Sequence, residues 1–396
     1  TDSYIDAIPE TITELALEKT SVRLNPAGSV LIAMYGATIG KLGILSIAAT
    51  TNQACCACFP LGGLDNKYLF YFLMAQKPLF IKQGEGGAQP NISKEKIVST
   101  LMPVPPLEEQ RRIVVMLGQI FPIIDAYSKC KTELDLCNAT FPERLKKSIL
   151  QEAVQGKLVP QDPSDEPAEA LLERIRAEKQ RLIKEGKIKK DKHESVIFRR
   201  DNSHYEKLDG VERCIDNEIP FDIPDSWGWA RLGNLTEMIT SGSRDWAKYY
   251  STEGNLFLRM GNLSRNSFDL RLNEIQRVRL PETVEGTRTA VQAGDLLFSI
   301  TGEVGMLGLV PSGFETAYTN QHTAVIRFLP QMRNKFLPYF FLTDYAKTCY
   351  KSNQHGIKNS FRLNSISDIL VPIPPLYEQR RIVNQIEITT RMIVSM

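Results

Sequence analysis

Apolar positions fall into two kinds of run along this chain. The blocks Val30 to Tyr35 and Leu296 to Ile300 are short, dense and closely preceded by glycine, as buried strands are. Tyr68 to Met74 and Phe336 to Leu342 have the aromatic and aliphatic density of a packed helix, and Pro338 fits only near that helix's first turn. The polar stretches Lys82 to Asn91 and Lys351 to Asn359 then predict exposed loops. Beyond Leu107 the period lengthens. Leu117, Ile120, Ile124, Tyr127, Leu134, Phe141 and Leu145 form the seam of a helix that packs along another long helix. Lys131 and Asn138 interrupt the seam. Pro142 is expected to break or kink it, with Thr140-Phe-Pro-Glu143 restarting the helix as a capping box. Leu171, Leu172, Ile175, Leu182 and Ile183 mark a further amphipathic helix ending near Gly186.

The pattern occurs twice. Pro103-Val-Pro-Pro-Leu-Glu-Glu-Gln-Arg-Arg-Ile-Val114 returns as Pro372-Ile-Pro-Pro-Leu-Tyr-Glu-Gln-Arg-Arg-Ile-Val383, 269 positions further on. Gly28 and Gly294, Thr51-Asn-Gln and Thr319-Asn-Gln, and Asn66-Lys-Tyr-Leu and Asn334-Lys-Phe-Leu match in the same order at nearly the same offset. The chain is therefore an imperfect duplication, each half a mixed α and β globular unit closed by a helix. The prolines fix an extended approach, and Leu-x-Glu-Gln-Arg-Arg begins a helix with acid at its positive end. The second half runs from about residue 219 to 371, so the first half is expected to lack the counterpart of residues 219 to 269. Likewise the second helix is expected to stop where the first still has residues 128 to 155 to run.

With 396 residues and 42% apolar composition the chain can bury substantial cores in two or three domains. It begins at Thr1 and reads as a fragment. No apolar run of about 18 residues and no basic-then-apolar start are expected to meet a membrane or export apparatus, which makes the cytoplasm the default. Seven cysteines give a single Cys-x-x-Cys spacing, Cys55 to Cys58, with no second pair and no Cys/His cluster at zinc spacing, so reduced thiols and no metal centre are expected. Cys55, Cys56 and Cys58 fit small strand residues better than a thiol site. A net charge of +2 neither demands nor excludes a polyanion, and the basic run Lys184 to Lys192 fits a solvated tail or a phosphate-contacting arm. The catalytic templates fail. Val-Pro-Pro-Leu and Ile-Pro-Pro-Leu are not the Asn/Asp-Pro-Pro-Tyr/Phe of amino-methyltransferases. Gly36-Ala-Thr-Ile-Gly-Lys41 is one residue short of a phosphate loop, with Leu42 where Ser or Thr is needed. Pro224-Asp225 lacks the following Glu-x-Lys of a nuclease and reads as a turn.

A duplicated unit closing twice with Pro-x-Pro-Pro-Leu-x-Glu-Gln-Arg-Arg-Ile-Val resembles the specificity (S) subunit of type I restriction-modification systems. Lys146 to Leu158 is similar to that family's central conserved region, and Trp227-Gly-Trp-Ala-Arg-Leu-Gly-Asn234 to the start of its second target-recognition domain. The resemblance implies an α+β fold with two mixed α/β target-recognition domains in pseudo-repeat, separated by long conserved helices that pair antiparallel. On that basis residues 1–105 form an N-terminally incomplete first domain, 106–158 the central helix, 159–218 a connector, 219–373 the second domain and 374–396 a truncated distal helix. It implies a non-catalytic chain that reads a split asymmetric site in double-stranded DNA. Its partners would be a pair of modification (methyltransferase) subunits and restriction (translocase-nuclease) subunits, with S-adenosylmethionine, ATP and magnesium held by those partners. The alternatives are a specificity module of a related methyltransferase-nuclease system, or a coiled-coil adaptor without base reading.

Base reading calls for polar side chains on loops. In the second domain the candidates are Ser243, Arg244, Trp246 and Lys248, followed by Arg259, Asn262, Thr301, Glu303, Lys358 and Asn359. Trp246 would serve as a stacking or packing wall. Corresponding loops of the first domain carry Tyr35, Thr38, Lys41, Gln89 and Asn91, and His322 and His355 could also reach DNA. For docking of modification subunits the candidates are the repeated helix starts, Glu109, Gln110, Arg111 and Arg112, and Glu378, Gln379, Arg380 and Arg381.

Overall fold

The computed structural model describes residues 3–59, 61–85, 90–190, 195–280, 290–352, 354–355 and 360–394. Two compact units divide the chain, Thr1–Leu136 and Cys137–Met396.

In unit 1 a four-stranded sheet runs in the order Ser3–Ile5, Leu42–Leu45, Val30–Ala33, Cys55–Cys58. The first pair is parallel and the other two are antiparallel. Val30, Leu31 and Ile32 are all buried, so this strand is covered on both faces and reads as a continuous apolar run. Val30, Ile32 and Ile44 share a core with Leu69, Leu73 and Phe80 of the helix Asn66–Gln83. Asp65 caps that helix, its carboxylate accepting the Lys67 and Tyr68 N–H groups.

Unit 2 repeats three of those strands. Its sheet runs Thr236–Ser241, Thr323–Phe328, Leu296–Ser299, Leu307–Leu309, all antiparallel. The fourth strands differ: Ser3–Ile5 flanks Leu42–Leu45 in parallel, whereas Thr236–Ser241 flanks Thr323–Phe328 antiparallel. A second sheet, Tyr250–Ser251, Gln276–Val278, Asn255–Leu258 and Ala317–Thr319, packs beside it. The aromatic block expected as a helix forms Phe336–Phe340, and a second helix, Asp344–Ser352, follows it and takes in Lys351 and Ser352 of the expected loop. The Thr343 hydroxyl accepts the Ala346 N–H and so starts the second piece. Phe298 is fully buried with its ring 4.9 Å from Tyr350 and 5.7 Å from Phe341, placing the aromatic helices on the sheet.

The stretch 159–218 is more than a connector. Its helix Ala168–Lys184 buries Ala168, Leu171, Ile175 and Leu182 in the unit 2 core and ends before Gly186, whose φ of 69° suits glycine. Three antiparallel strands follow, Ser195–Arg200, Ser203–Leu208 and Val211–Cys214, joined by turns with Asp201, Asn202, Asp209 and Gly210 at positive φ. Glu206, 1% exposed, accepts hydrogen bonds from Arg231, Arg213 and Ser195. Burial alone would raise its carboxyl pKa, but these bonds hold it down at about 2.

The expected break at Pro142 does not occur, because Leu107–Val154 is a single 48-residue helix that passes through both Pro122 and Pro142. Each proline removes one i→i−4 bond. The residues four positions earlier, Gly118 and Asn138, are exposed, so water can satisfy the freed carbonyls. Thr140, expected as a cap, bonds back to the Cys137 carbonyl instead. Seam residues Ile120, Ile124, Tyr127 and Leu134 are 39–68% exposed. Contrary to the composition argument, this helix is long and apolar enough, by length and composition, to cross a bilayer. It ends at Val154, two residues before Gly156, whose φ of 71° no β-carbon would favour.

Candidate nucleic-acid interface

A cleft of about 1020 Å³ opens in unit 2. Its lining comes from four segments: Arg259 to Asn262 after the strand Asn255–Leu258, Arg271 to Glu274, the turn Thr301-Gly302, and the loop holding Asn320 and His322. One buried amide ties two of these together. Asn262, 3% exposed, accepts the Arg259 N–H at 2.9 Å and donates to the carbonyls of Arg271 and Glu274 at 2.8 and 3.0 Å. The Arg271 N–H returns a 2.8 Å bond to the Asn262 carbonyl. Among the described residues neither guanidinium, nor the Glu274 carboxylate, takes part in an ion pair. Their neighbours do: Arg277 pairs with Glu315, Arg327 with Asp295 and Arg265 with Glu303.

The opposite wall is hydrogen-bonded through His322. Its Nδ1 lies 2.5 Å from the Thr301 hydroxyl and its Nε2 lies 2.8 Å from the Gln321 amide nitrogen. Since an amide nitrogen only donates, the neutral tautomer with its proton on Nδ1 satisfies both contacts. Asn320 Oδ1 accepts the His322 N–H, leaving its NH₂ for the cleft. The loop bearing Arg244 borders this wall. Ser243 bridges Asn320, and Gly242 packs so closely on Thr319 that any β-carbon there would overlap the carbonyl.

The expected base readers therefore separate into groups. Arg259 and Thr301 line the cleft, and Ser243 and Arg244 stand at its border. Lys248 is exposed, with its ammonium 5.0 Å from the Tyr249 ring centroid. Two assignments need correction, and the open alternative for Trp246 is decided. Asn262 has its amide engaged by backbone and cannot also read a base. Trp246 is 5% exposed, with its ring 4.9 Å from Phe257 and 5.4 Å from Tyr318, so it is a packing wall and stacks on nothing outside. Glu303 is held by Arg265. Gln89, Lys358 and Asn359 lie outside the described residues, as does the side chain of His355.

In unit 1, Tyr35 bridges Asn91, the Gly36 N–H donates to Pro90, and the Thr38 hydroxyl donates to the Tyr35 carbonyl. Tyr35, Thr38, Lys41 and Asn91 are exposed around one turn.

Sequence reasoning missed Arg271, Asn273, Glu274 and Asn320, and left His322 outside its main set. For Asn320 a signal existed in the repeated Thr-Asn-Gln. Asn52 accepts the Ala54 N–H in unit 1 as Asn320 accepts that of His322 in unit 2, so the repeat preserves a turn.

The helix starts also need correction. Gln110 is fully buried, accepting the Asp65 N–H and donating to the carbonyls of Gly63 and Pro105. Gln379 donates to the Pro374 carbonyl and accepts from Asn334. Glu378, 1% exposed, accepts the Trp227 indole N–H at 3.0 Å and the Gln161 amide at 2.6 Å. Burial raises its pKa despite these bonds. Arg381 pairs with Asp165 at 2.6 Å. Glu109, Arg111, Arg112 and Arg380 remain exposed.

Comparison with known proteins gives a consistent result. The family model for the type I restriction modification DNA specificity domain matches residues 3–135 and 225–393. The type I restriction enzyme EcoAI specificity subunit of Escherichia coli is 30% identical over 243 residues, covering 51% of this chain and 38% of the relative. The EcoBI specificity subunit of Escherichia coli is 22% identical over 344 residues, 86% of this chain and 62% of the relative. This chain thus spans less than two thirds of either relative. Among solved structures, the HsdS subunit from Thermoanaerobacter tengcongensis aligns over 94% of this chain and 75% of its own, at 18% identity and a TM-score of 0.47.

Proposed function

The chain belongs to the family of type I restriction-modification DNA specificity domains, and on that premise we propose that it is the non-catalytic DNA-reading part of a type I restriction-modification complex. It reads a split, asymmetric site in double-stranded DNA and carries modification and restriction subunits. Methyl transfer from S-adenosylmethionine and ATP- and magnesium-dependent restriction belong to those partners, and the complex works in the cytoplasm.

The observation that carries this reading is the unit 2 cleft, where among the described residues two guanidinium groups have no carboxylate partner on a surface whose other arginines are largely paired. Free arginines in a polar concavity match groove edges and phosphates. Asymmetry of the site is expected because the two units share a three-stranded frame but differ in the sequence of the loops around it. The apolar seam of the long helix is read as a surface for another helix. Modification subunits are placed at the exposed residues of the two helix starts, Glu109, Arg111, Arg112 and Arg380.

Filter binding with random duplex DNA, using the full chain alone and with its modification subunit, tests the reading. Salt-dependent binding supports it, and transfer of labelled methyl groups by the chain alone refutes the non-catalytic assignment. Arg244→Ala should weaken binding, either at one base pair or uniformly with a shallower salt slope. Arg111→Glu with Arg112→Glu should weaken co-purification with the modification subunit.

A further inference from the structure

We infer that the cleft is a guanine-cytosine reader, in which Arg259 and Arg271 present donor forks to guanine and Glu274 accepts from cytosine, with Asn262 as the positioning residue for all three. The inference rests on the proposed DNA-reading function and assigns the chemistry of its site. Three observations lead to it. First, both arginines and Glu274 are rooted on a single buried amide, through Arg259 N–H to Asn262 Oδ1 and Asn262 Nδ2 to the carbonyls of Arg271 and Glu274. Their backbones are thereby fixed relative to one another before any ligand arrives, which lowers the ordering cost of binding. Second, none of the three is in an ion pair among the described residues, although arginine and glutamate this close in sequence and space could have paired.

Third, the set has the wrong composition for a phosphate track. A carboxylate beside two cations would repel phosphate, whereas a guanine-cytosine pair offers two acceptors, O6 and N7, next to the cytosine N4 donor. Arginine forks fit the acceptors and a carboxylate fits the amine. Phosphate contact would instead favour cations without an acid among them. The Asn320 amide hydrogens on the opposite wall add a donor but not the discrimination. The inference concerns the unit 2 cleft, whose second sheet pairs Asn255–Leu258 with Ala317–Thr319.

The test is selection from a random-sequence duplex DNA library by the full chain, alone and with its modification subunit, followed by binding to the selected duplex. The wild-type chain should fix at least one guanine-cytosine pair. Replacing that guanine by 7-deazaguanine, which lacks N7, should weaken binding about ten- to a hundredfold. Arg259→Ala or Arg271→Ala should relax selection at that position and make binding indifferent to 7-deazaguanine. Asn262→Ala should cause the same relaxation, and Asn262→Asp, which keeps the acceptor for Arg259 but loses both donors, should fall between. Unchanged tryptophan fluorescence of the surface variant Arg271→Ala excludes misfolding. Selection of sites without a dependent guanine, or arginine variants that weaken every sequence equally with a shallower salt slope, would overturn the inference while leaving DNA reading intact. Absence of any DNA binding would instead remove the function on which it rests.

Discussion

The same four residues, Glu-Gln-Arg-Arg, open the terminal helix of both repeats, yet only one of them does the same thing twice. Gln110 and Gln379 each fold back on the proline turn and tie it to the region where the unit's preceding helix begins. Glu378 and Arg381 are engaged by Trp227, Gln161 and Asp165, whereas Glu109 and Arg112 face solvent. A glutamine that bonds mostly to backbone needs only the local turn, which the repeat itself carries. A glutamate or arginine that bonds to side chains needs particular residues from elsewhere, and only unit 2 supplies them. Repetition of a motif therefore preserves its local clasp more faithfully than its outward chemistry.

The largest expected effect tests the shared part. Gln110→Leu leaves an N–H and two carbonyls unpaired, and should cost about 3 kcal/mol or more. Gln379→Leu should cost about 2–3 kcal/mol on the same grounds. All three tryptophans, Trp227, Trp229 and Trp246, lie in unit 2. Denaturant unfolding followed by tryptophan fluorescence should accordingly shift for Gln379→Leu and not for Gln110→Leu, while circular dichroism shifts for both. A fluorescence shift from Gln110→Leu would mean that the units unfold together.

Acid should separate the units next. Glu206 titrates at about 2 in the folded chain against an ordinary 4.5. A lowered folded value means that its contribution is complete above pH 4.5 and is lost as pH falls toward 2, on the order of 2–3 kcal/mol. Glu378 has the opposite sign: burial raises its pKa, so its contribution is present below 4.5 and lost as pH rises through the folded value. Melting curves from pH 5 to 2.5 should show unit 2 losing stability, and Glu206→Gln should flatten that limb. An unchanged slope would discard the network.

Smaller effects probe the divergent residues directly. Glu378→Ala orphans the Trp227 N–H and removes one of the Gln161 hydrogen bonds, and should cost about 1–3 kcal/mol, against about 0.5 kcal/mol or less for Glu109→Ala. Equal costs in chemical denaturation would show that the environments do not differ as described. Arg381→Ala should lose about 0.5–1 kcal/mol from a partly exposed pair, and Arg112→Ala should be neutral within measurement.

Much of this architecture was legible in the residues. The two Gly-led strands, the aromatic helix after Asn66, the helix beginning at Leu107 and the Gly186 stop follow from periodicity, capping and backbone preference, all of which act within a few residues. Pro142 was misread because proline's penalty is local, whereas the exposure that lets solvent satisfy the Asn138 carbonyl depends on nothing packing there.

The sequence by itself determined the duplication, the alternation of strand and helix, and the polar loops that carry the candidate readers. Only the tertiary structure decided which polar residues are free. Asn262, Trp246, Glu303, Gln110 and Glu378 all looked available by type, and each proved to be held by a neighbour tens or hundreds of positions away or by a backbone group beside it. Hydrogen bonding is saturable and short in range: an amide or carboxylate satisfied inside the fold has nothing left for a base edge. Which groups are satisfied depends on distances that exist only once the chain has folded.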